Sequence, residues 1–202
     1  MTPVLLELPY LPNVQWCGNF LNYENVIIEH EENFLKSTYR NRCEIAGANG
    51  KMILSVPVEG GRDHHQKYKD VRIAYKDNWQ NNHWQSIRSA YGRAPYFEYY
   101  ADRLLPVYET RYEYLYDFNV AVLKVVLWLL KSDKPLKFTS VYEKIPTGII
   151  DLRSGRSNKE ISSLRRYYQV FEERHGFMPN LSVIDALFNL GPQTKEYLAG
   201  LP

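Results

Sequence analysis

The chain has 202 residues, with 25 Lys and Arg against 23 Asp and Glu, a formal charge of +2. That length suits one domain, and a balance so near neutral argues against a dedicated nucleic-acid or anionic-membrane binder. The longest apolar run, Val120 to Leu130, is interrupted by Lys124 and falls short of the roughly 20 residues a bilayer span requires, so no membrane insertion is expected. The first residues, Met1 to Glu7, carry no basic segment before an apolar one, and the only cysteines are Cys17 and Cys43. Together these point to a reducing, cytoplasmic setting without a disulfide framework.

In chain order, Pro3 to Leu8 reads as a short buried strand, ended by Pro9-Tyr10-Leu11-Pro12, where two prolines forbid both helix and ladder. Asn13 is placed to cap a helix over Val14 to Tyr23. Val26-Ile27-Ile28 is a second β-branched run. Strand, helix and strand within about 30 residues make a βαβ unit with parallel strands and a right-handed crossover. Ligands of such units sit beyond the carboxyl ends of the strands, which directs attention to Pro9–Pro12 and to the chain after His30.

That chain is Asn33-Phe34-Leu35-Lys36-Ser37-Thr38-Tyr39-Arg40-Asn41-Arg42, with three cations, two amides and no apolar period. It either lines a groove or contacts an anion, or it is a solvated connection whose arginines pair with acids. Lys51 to Val58 reads as a third strand after a turn at Gly47–Gly50, and Val71 to Tyr75 as a fourth. Between them, His64-His65 sits in a glycine-rich polar loop. With no carboxylate at ligand spacing, a surface loop outweighs a metal site.

From Trp79 the period becomes helical. Trp79, His83, Ile87 and Tyr91 lie four apart on one face, and Gly92 ends that helix. A histidine on such a stripe is more often a core residue than a catalyst. Tyr96 to Tyr112 is a second, aromatic helix. Leu115 to Leu129 is a third, apolar on nearly every side and therefore central. Residues 137–159 are irregular; Asp151 to Lys159 is basic and turn-rich, a lid or a plain loop. Ser157-x-x-Glu160 resembles a capping box for a helix through Leu164, Tyr168 and Phe171, closed by Gly176. A last helix follows Ser182 and stops at Gly191-Pro192. The fold expected is α/β, a small mostly parallel sheet opened by a βαβ unit with a largely helical C-terminal half, and α+β as the alternative. Residues 1–202 read as one domain, strand-rich over 1–77 and helical over 78–202.

No P-loop, GxGxxG, GxSxG, HExxH or DxD occurs. Cys17, on an apolar helix, reads as an inert thiol rather than a nucleophile paired with His83.

The ordered motifs resemble the WbqC-like family. They are Leu8-Pro9-Tyr10-Leu11-Pro12 followed by Trp16, Gly18 and Phe20; Glu29-His30-Glu31-Glu32 with Phe34-Leu35-Lys36 and Tyr39-Arg40-Asn41-Arg42; and Leu54-Ser55-Val56-Pro57-Val58. Then come Trp79, His83, Ile87, Tyr91 and Ala94-Pro95-Tyr96-Phe97, and finally Leu181-Ser182-Val183-Ile184-Asp185-Ala186-Leu187-Phe188-Asn189. The resemblance implies bacterial surface-polysaccharide (O-antigen) biosynthesis, with a suggested transfer of an amino acid such as glycine to a sugar. Such a transfer needs an anchor for a phosphate or adenylate, a group to orient the carbonyl, and a base. Lys36, Arg40 and Arg42 are the anchor candidates, and Asn41 the orienting one. His83 is the candidate base, on the ground that imidazole titrates near neutrality, and Tyr10 could orient a sugar or the base. The partner expected is a small-molecule or nucleotide-sugar substrate; neither a cofactor nor an oligomeric state is named by the sequence. Two other readings stand beside this one. A sugar- or nucleotide-binding accessory protein fits the 17 Tyr and four Trp equally well. A nucleotidyltransferase-like enzyme would hold phosphate at the start of the first helix, where this chain has Asn13 to Gly18.

Overall fold

The computed structural model describes residues 2–60, 66–153 and 164–201. Strand β1 (Val4–Glu7) is fully buried, as an uninterrupted Val-Leu-Leu run requires. The chain turns through Pro9–Pro12 into helix α1 (Val14–Asn22), whose first turn is capped by Asn13, its Oδ1 accepting from Trp16 N at 2.8 Å. It returns as β2 (Val26–Glu29), parallel to β1 from Val4 opposite Val26 to Glu7 opposite Glu29. The fold is α/β, opened by the βαβ unit that the sequence spells.

The polar stretch after β2 runs directly into β3 (Arg42–Gly47), which pairs antiparallel with β4 (Gly50–Ser55) and sets Arg42 opposite Ser55. Strand β3 was not foreseen, because its first residues belong to the basic stretch. The expected strand at Val71–Tyr75 is absent. Its backbone divides between Pro57–Glu59 on one side and Glu113–Leu115 on the other, two hydrogen bonds to each, so no ladder continues. The His64-His65 loop lies outside the described residues.

Helices α2 (Trp79–Tyr91), α3 (Phe97–Glu109) and α4 (Leu115–Leu129) follow. In α4, Leu115, Phe118, Val122 and Val126 are buried and only Asp117, Lys124 and Trp128 form an exposed stripe. Strand β5 (Ile150–Asp151) joins the other edge of β1 in parallel. The sheet order is therefore β2-β1-β5, and a strand from the helical part completes a sheet begun at the N-terminus.

The helix expected through Leu164 and Tyr168 does not form. Residues 164–169 are irregular, and only α5 (Glu172–His175) is helical before Gly176 at φ 71° closes it. Gln169 explains this: its buried amide accepts from Met178 N at 2.8 Å and donates to Met178 O at 3.0 Å, standing in for a strand partner. The proposed cap at Ser157 and Glu160 lies outside the described residues. Helix α6 (Val183–Leu190) ends at Gly191 as expected, but the chain continues through a 3-10 turn into α7 (Thr194–Ala199).

One main core joins these elements. Val4, Leu6, Val26 and Ile28 enter it from one face of the sheet, and the same core holds Phe118 and Val122 of α4. Alternation sends Leu5, Glu7, Ile27 and Glu29 to the other face, which residues 138–149 cover.

Candidate functional site

The turn after β1 brings several of the candidate residues together. Leu11, buried in that turn, has φ 41°, a left-handed conformation that a branched residue adopts only when its surroundings impose it. The turn holds Tyr10 entirely inside, where its hydroxyl lies 2.9 Å from His83 Nδ1 and 2.8 Å from the Tyr108 hydroxyl. The two rings stack with centroids 5.7 Å apart, and Trp79 presents an edge contact to His83 at 5.1 Å. Tyr10 N donates to Tyr39 O at 2.8 Å, tying the turn to the basic stretch.

Burial dominates the protonation of this cluster. Desolvation drives the Tyr10 hydroxyl well above its ordinary value, with Tyr108 adding to the rise. Desolvation also pushes the His83 ring down to about 4, opposed only by a hydrogen bond to the Ser55 backbone. His83 is thus neutral at pH 7 and titrates well away from neutrality, unlike the free imidazole from which a base was inferred.

The cations of the basic stretch part company. Arg40 is 2% exposed, and its guanidinium grips Glu32 through two hydrogen bonds. Asn41 is also buried; its Oδ1 accepts from Ser37 N at 3.0 Å and its Nδ2 donates to Val56 O at 3.2 Å, closing the loop around Ser37, whose φ is 67°. Lys36 is exposed, directly before Ser37. Arg42 lines an open cleft of about 300 Å³ together with Ser37, Thr38, Tyr39, Cys43, Glu44 and Ile53. The Arg42 Nε atom is buried there with no hydrogen-bond partner among the described residues. Opposite Arg42 stands Ser55, whose backbone meets the His83 ring. One residue therefore separates the cleft's cation from the neutral imidazole.

Neither cysteine is a nucleophile in waiting. Both are buried, and desolvation raises both thiols far above their usual range. The start of α1 is closed to phosphate as well. Its first four N–H groups donate to Leu181 O, Asn180 Oδ1, Asn13 Oδ1 and Asn13 O, so the arrangement that a nucleotidyltransferase-like reading needs is occupied by the protein itself. No group of three or more His, Cys, Asp or Glu among the described residues is arranged to hold a metal ion.

A second constellation escaped the sequence reading. Glu7 and Glu29 end β1 and β2 side by side, and Glu29 is fully buried. Glu29 Oε1 accepts from Glu31 N at 2.7 Å and from the Thr139 hydroxyl at 2.8 Å, and Oε2 accepts from Arg153 Nη1 at 3.2 Å. Arg153, foreseen as part of a lid or loop, is instead 3% exposed and also clamps Asp151; residues 154–159 of that expected lid lie outside the described residues. An acidic residue closing each strand of a βαβ unit was the available signal, since carboxyl ends of parallel strands are where ligands sit.

The WbqC-like protein family matches residues 9–153, well over half of the chain. The chain is also 26% identical over 225 residues to the uncharacterized protein Rv1507c of Mycobacterium tuberculosis, an alignment that covers 96% of each chain. No solved structure matches. No helix among the described residues is long and apolar enough to cross a membrane.

Proposed function

The chain belongs to the WbqC-like protein family, and on that premise we propose that it is a cytoplasmic transferase of bacterial surface-polysaccharide (O-antigen) biosynthesis that adds an amino acid such as glycine to a sugar. The donor is an activated, anionic small molecule, bound in the cleft beside β3. Arg42 takes its phosphate or adenylate, with Lys36 at the edge. Arg40 and Asn41 shape the cleft from behind rather than touch the donor. Neutral His83, held by Tyr10, accepts the proton of the attacking amine or hydroxyl as the new bond to the carbonyl forms and the activated leaving group departs toward Arg42.

The observation that carries this reading is the pairing of Arg42 with Ser55, which joins an underused guanidinium in an open cleft to a deprotonated imidazole. A binding accessory protein of the same pathway is the second reading, favoured by the burial and weak basicity of His83. The test is a thermal-shift screen of nucleotide-sugars and aminoacyl-adenylate analogues on wild type beside Arg42→Gln. Ligand binding to the folded state raises the melting temperature, so a rise seen in wild type and lost in the variant supports the cleft. Equal rises, or none, would remove it. Transfer of labelled glycine to a sugar acceptor by wild type then separates the enzyme from the accessory protein.

A further inference from the structure

The far face of the small sheet carries a second cavity, of about 350 Å³, between β1–β2 and the covering segment 138–149. Its floor is Leu5 and Ile27, apolar side chains of β1 and β2 that do not enter the main core. Phe138 and Pro146 continue the apolar wall, while Thr139, Ser140 and Thr147 bring hydroxyls. Two carboxylates face it, Glu29 at the end of β2 and Glu143 at the exposed rim, and no Lys or Arg stands among the described residues that line it.

The cavity is built rather than incidental. Arg153 Nη2 donates to Glu143 O at 3.1 Å and Arg153 Nη1 to Glu29 Oε2, so one buried guanidinium ties the cover to the strand end. Glu29 is fixed by three donors, two on Oε1 and one on Oε2. These contacts hold Glu29 rigid beneath the cavity, with its charge partnered by Arg153. The cavity runs along the sheet from Pro3, just before β1, to Glu29 at the end of β2.

We propose that this cavity is a binding site for an amino sugar. The apolar floor and walls take the C–H faces of a pyranose ring, the hydroxyls of Ser140 and Thr147 pair with its hydroxyls, and Glu143 at the rim receives its ammonium group. The charge preference differs from that of the Arg42 cleft, because Glu143 is the acid at the rim and no Lys or Arg stands among the described lining residues. The assignment of a site stands on the cavity alone; naming the amino sugar as the acceptor of the transfer rests on the reading above.

Isotope-labelled full-length protein titrated with glucosamine and, separately, N-acetylglucosamine tests this by amide NMR. The expected result is shifts confined to Leu5, Ile27–Glu29 and residues 138–149, with glucosamine binding more tightly than its uncharged analogue. Glu143→Gln, at an exposed position that the fold does not need, should weaken glucosamine on the order of threefold, as an exposed charge pair allows. Thr147→Trp should block both sugars, and Arg42→Gln should change neither, so this site and the anion cleft fail independently. Equal affinity for the two sugars, shifts elsewhere, or an indifferent Glu143→Gln would overturn the proposal.

Discussion

Arg40 and Glu32 hold each other inside the protein by two parallel hydrogen bonds, Nε to Oε1 at 2.5 Å and Nη2 to Oε2 at 2.6 Å. Burial raises the Glu32 carboxyl, Arg40 opposes that rise, and Glu7 and Glu29 add to it. Removing the guanidinium therefore strands a buried carboxylate among others. Arg40→Ala should cost about 3–5 kcal/mol in urea unfolding, while Arg40→Met with Glu32→Leu should recover most of the loss. Arg42→Ala, which breaks no ion pair among the described residues, should cost under about 1 kcal/mol. Comparable losses from Arg40→Ala and Arg42→Ala would contradict this division of labour between two arginines only two residues apart.

His83 and Asp185 should leave opposite marks on the pH dependence of stability. The His83 ring titrates at about 4 in the fold against 6.5 when free, chiefly through burial. The unfolded chain binds more protons between those values, so the His83 contribution is present above pH 6.5 and is lost as pH falls to 4, about 3 kcal/mol in all. Asp185 is raised by burial from 3.8 to about 6, although Tyr167 and Gln169 hydrogen-bond it. The folded state then binds the extra proton, and stability falls by a similar amount as pH rises from 3.8 to 6. The two effects offset each other in wild type. Denaturation midpoints from pH 4 to 7 should show His83→Gln gaining on wild type as pH drops, and Asp185→Asn losing. Parallel profiles for all three proteins would mean that neither group is shifted as the burial argues.

What was legible in the sequence was local. Asn13 before an apolar period, two prolines after a short apolar run, the β-branched Val26-Ile27-Ile28, and the four-residue spacing of Trp79, His83, Ile87 and Tyr91 each act within one turn or strand, and β1, α1, β2 and α2 follow from them. What escaped depends on partners far along the chain. Strand β5 is two residues whose only reason to be extended is β1, and residues 164–169 are held out of a helix by Met178 and Asp185. The candidate site divides in the same way. Its residue types could be named from the motif, but whether Arg40 or Arg42 meets the cleft is decided by Glu32, whose place inside comes from the end of β2. Glu29 went unread as a site residue because its role appears only once Thr139 and Arg153 arrive.

Two glycines separate backbone strain from steric conflict. Gly176 and Gly191 both have left-handed φ, 71° and 58°, but a Cβ at Gly176 meets nothing within 4 Å, while one at Gly191 falls 2.5 Å from the Tyr96 ring. Gly176→Ala should therefore cost about 1–2 kcal/mol, the backbone term alone. Gly191→Ala should cost clearly more, because it must also displace Tyr96, whose N–H donates to Phe188 O and so anchors the start of α3 to α6. Thermal melting of the two variants side by side decides it, and equal losses would mean that the Tyr96 ring moves freely.

Tyr10→Phe tests whether the Tyr10–His83 pair does more than pack. The change keeps the ring stacked on His83 and tilted against Phe118 but leaves His83 Nδ1 and the Tyr108 hydroxyl without their shared partner inside the protein. An unsatisfied buried polar group costs about 1–3 kcal/mol, and Tyr108→Phe, which also orphans part of the network, should cost a similar amount. Their effects on the proposed transfer should differ. Of the two tyrosines, Tyr10 is the one whose hydroxyl meets the imidazole, so Tyr10→Phe should lower kcat and leave KM for the anionic donor near its wild-type value, since Arg42 is undisturbed. Tyr108→Phe should keep kcat within about twofold, the scale of a change that leaves the reacting groups in place. Steady-state kinetics of both variants distinguish the outcomes. Equal falls in kcat would make the three-residue network a packing device, and a fall confined to Tyr10→Phe would tie turnover to the ring that Tyr10 holds.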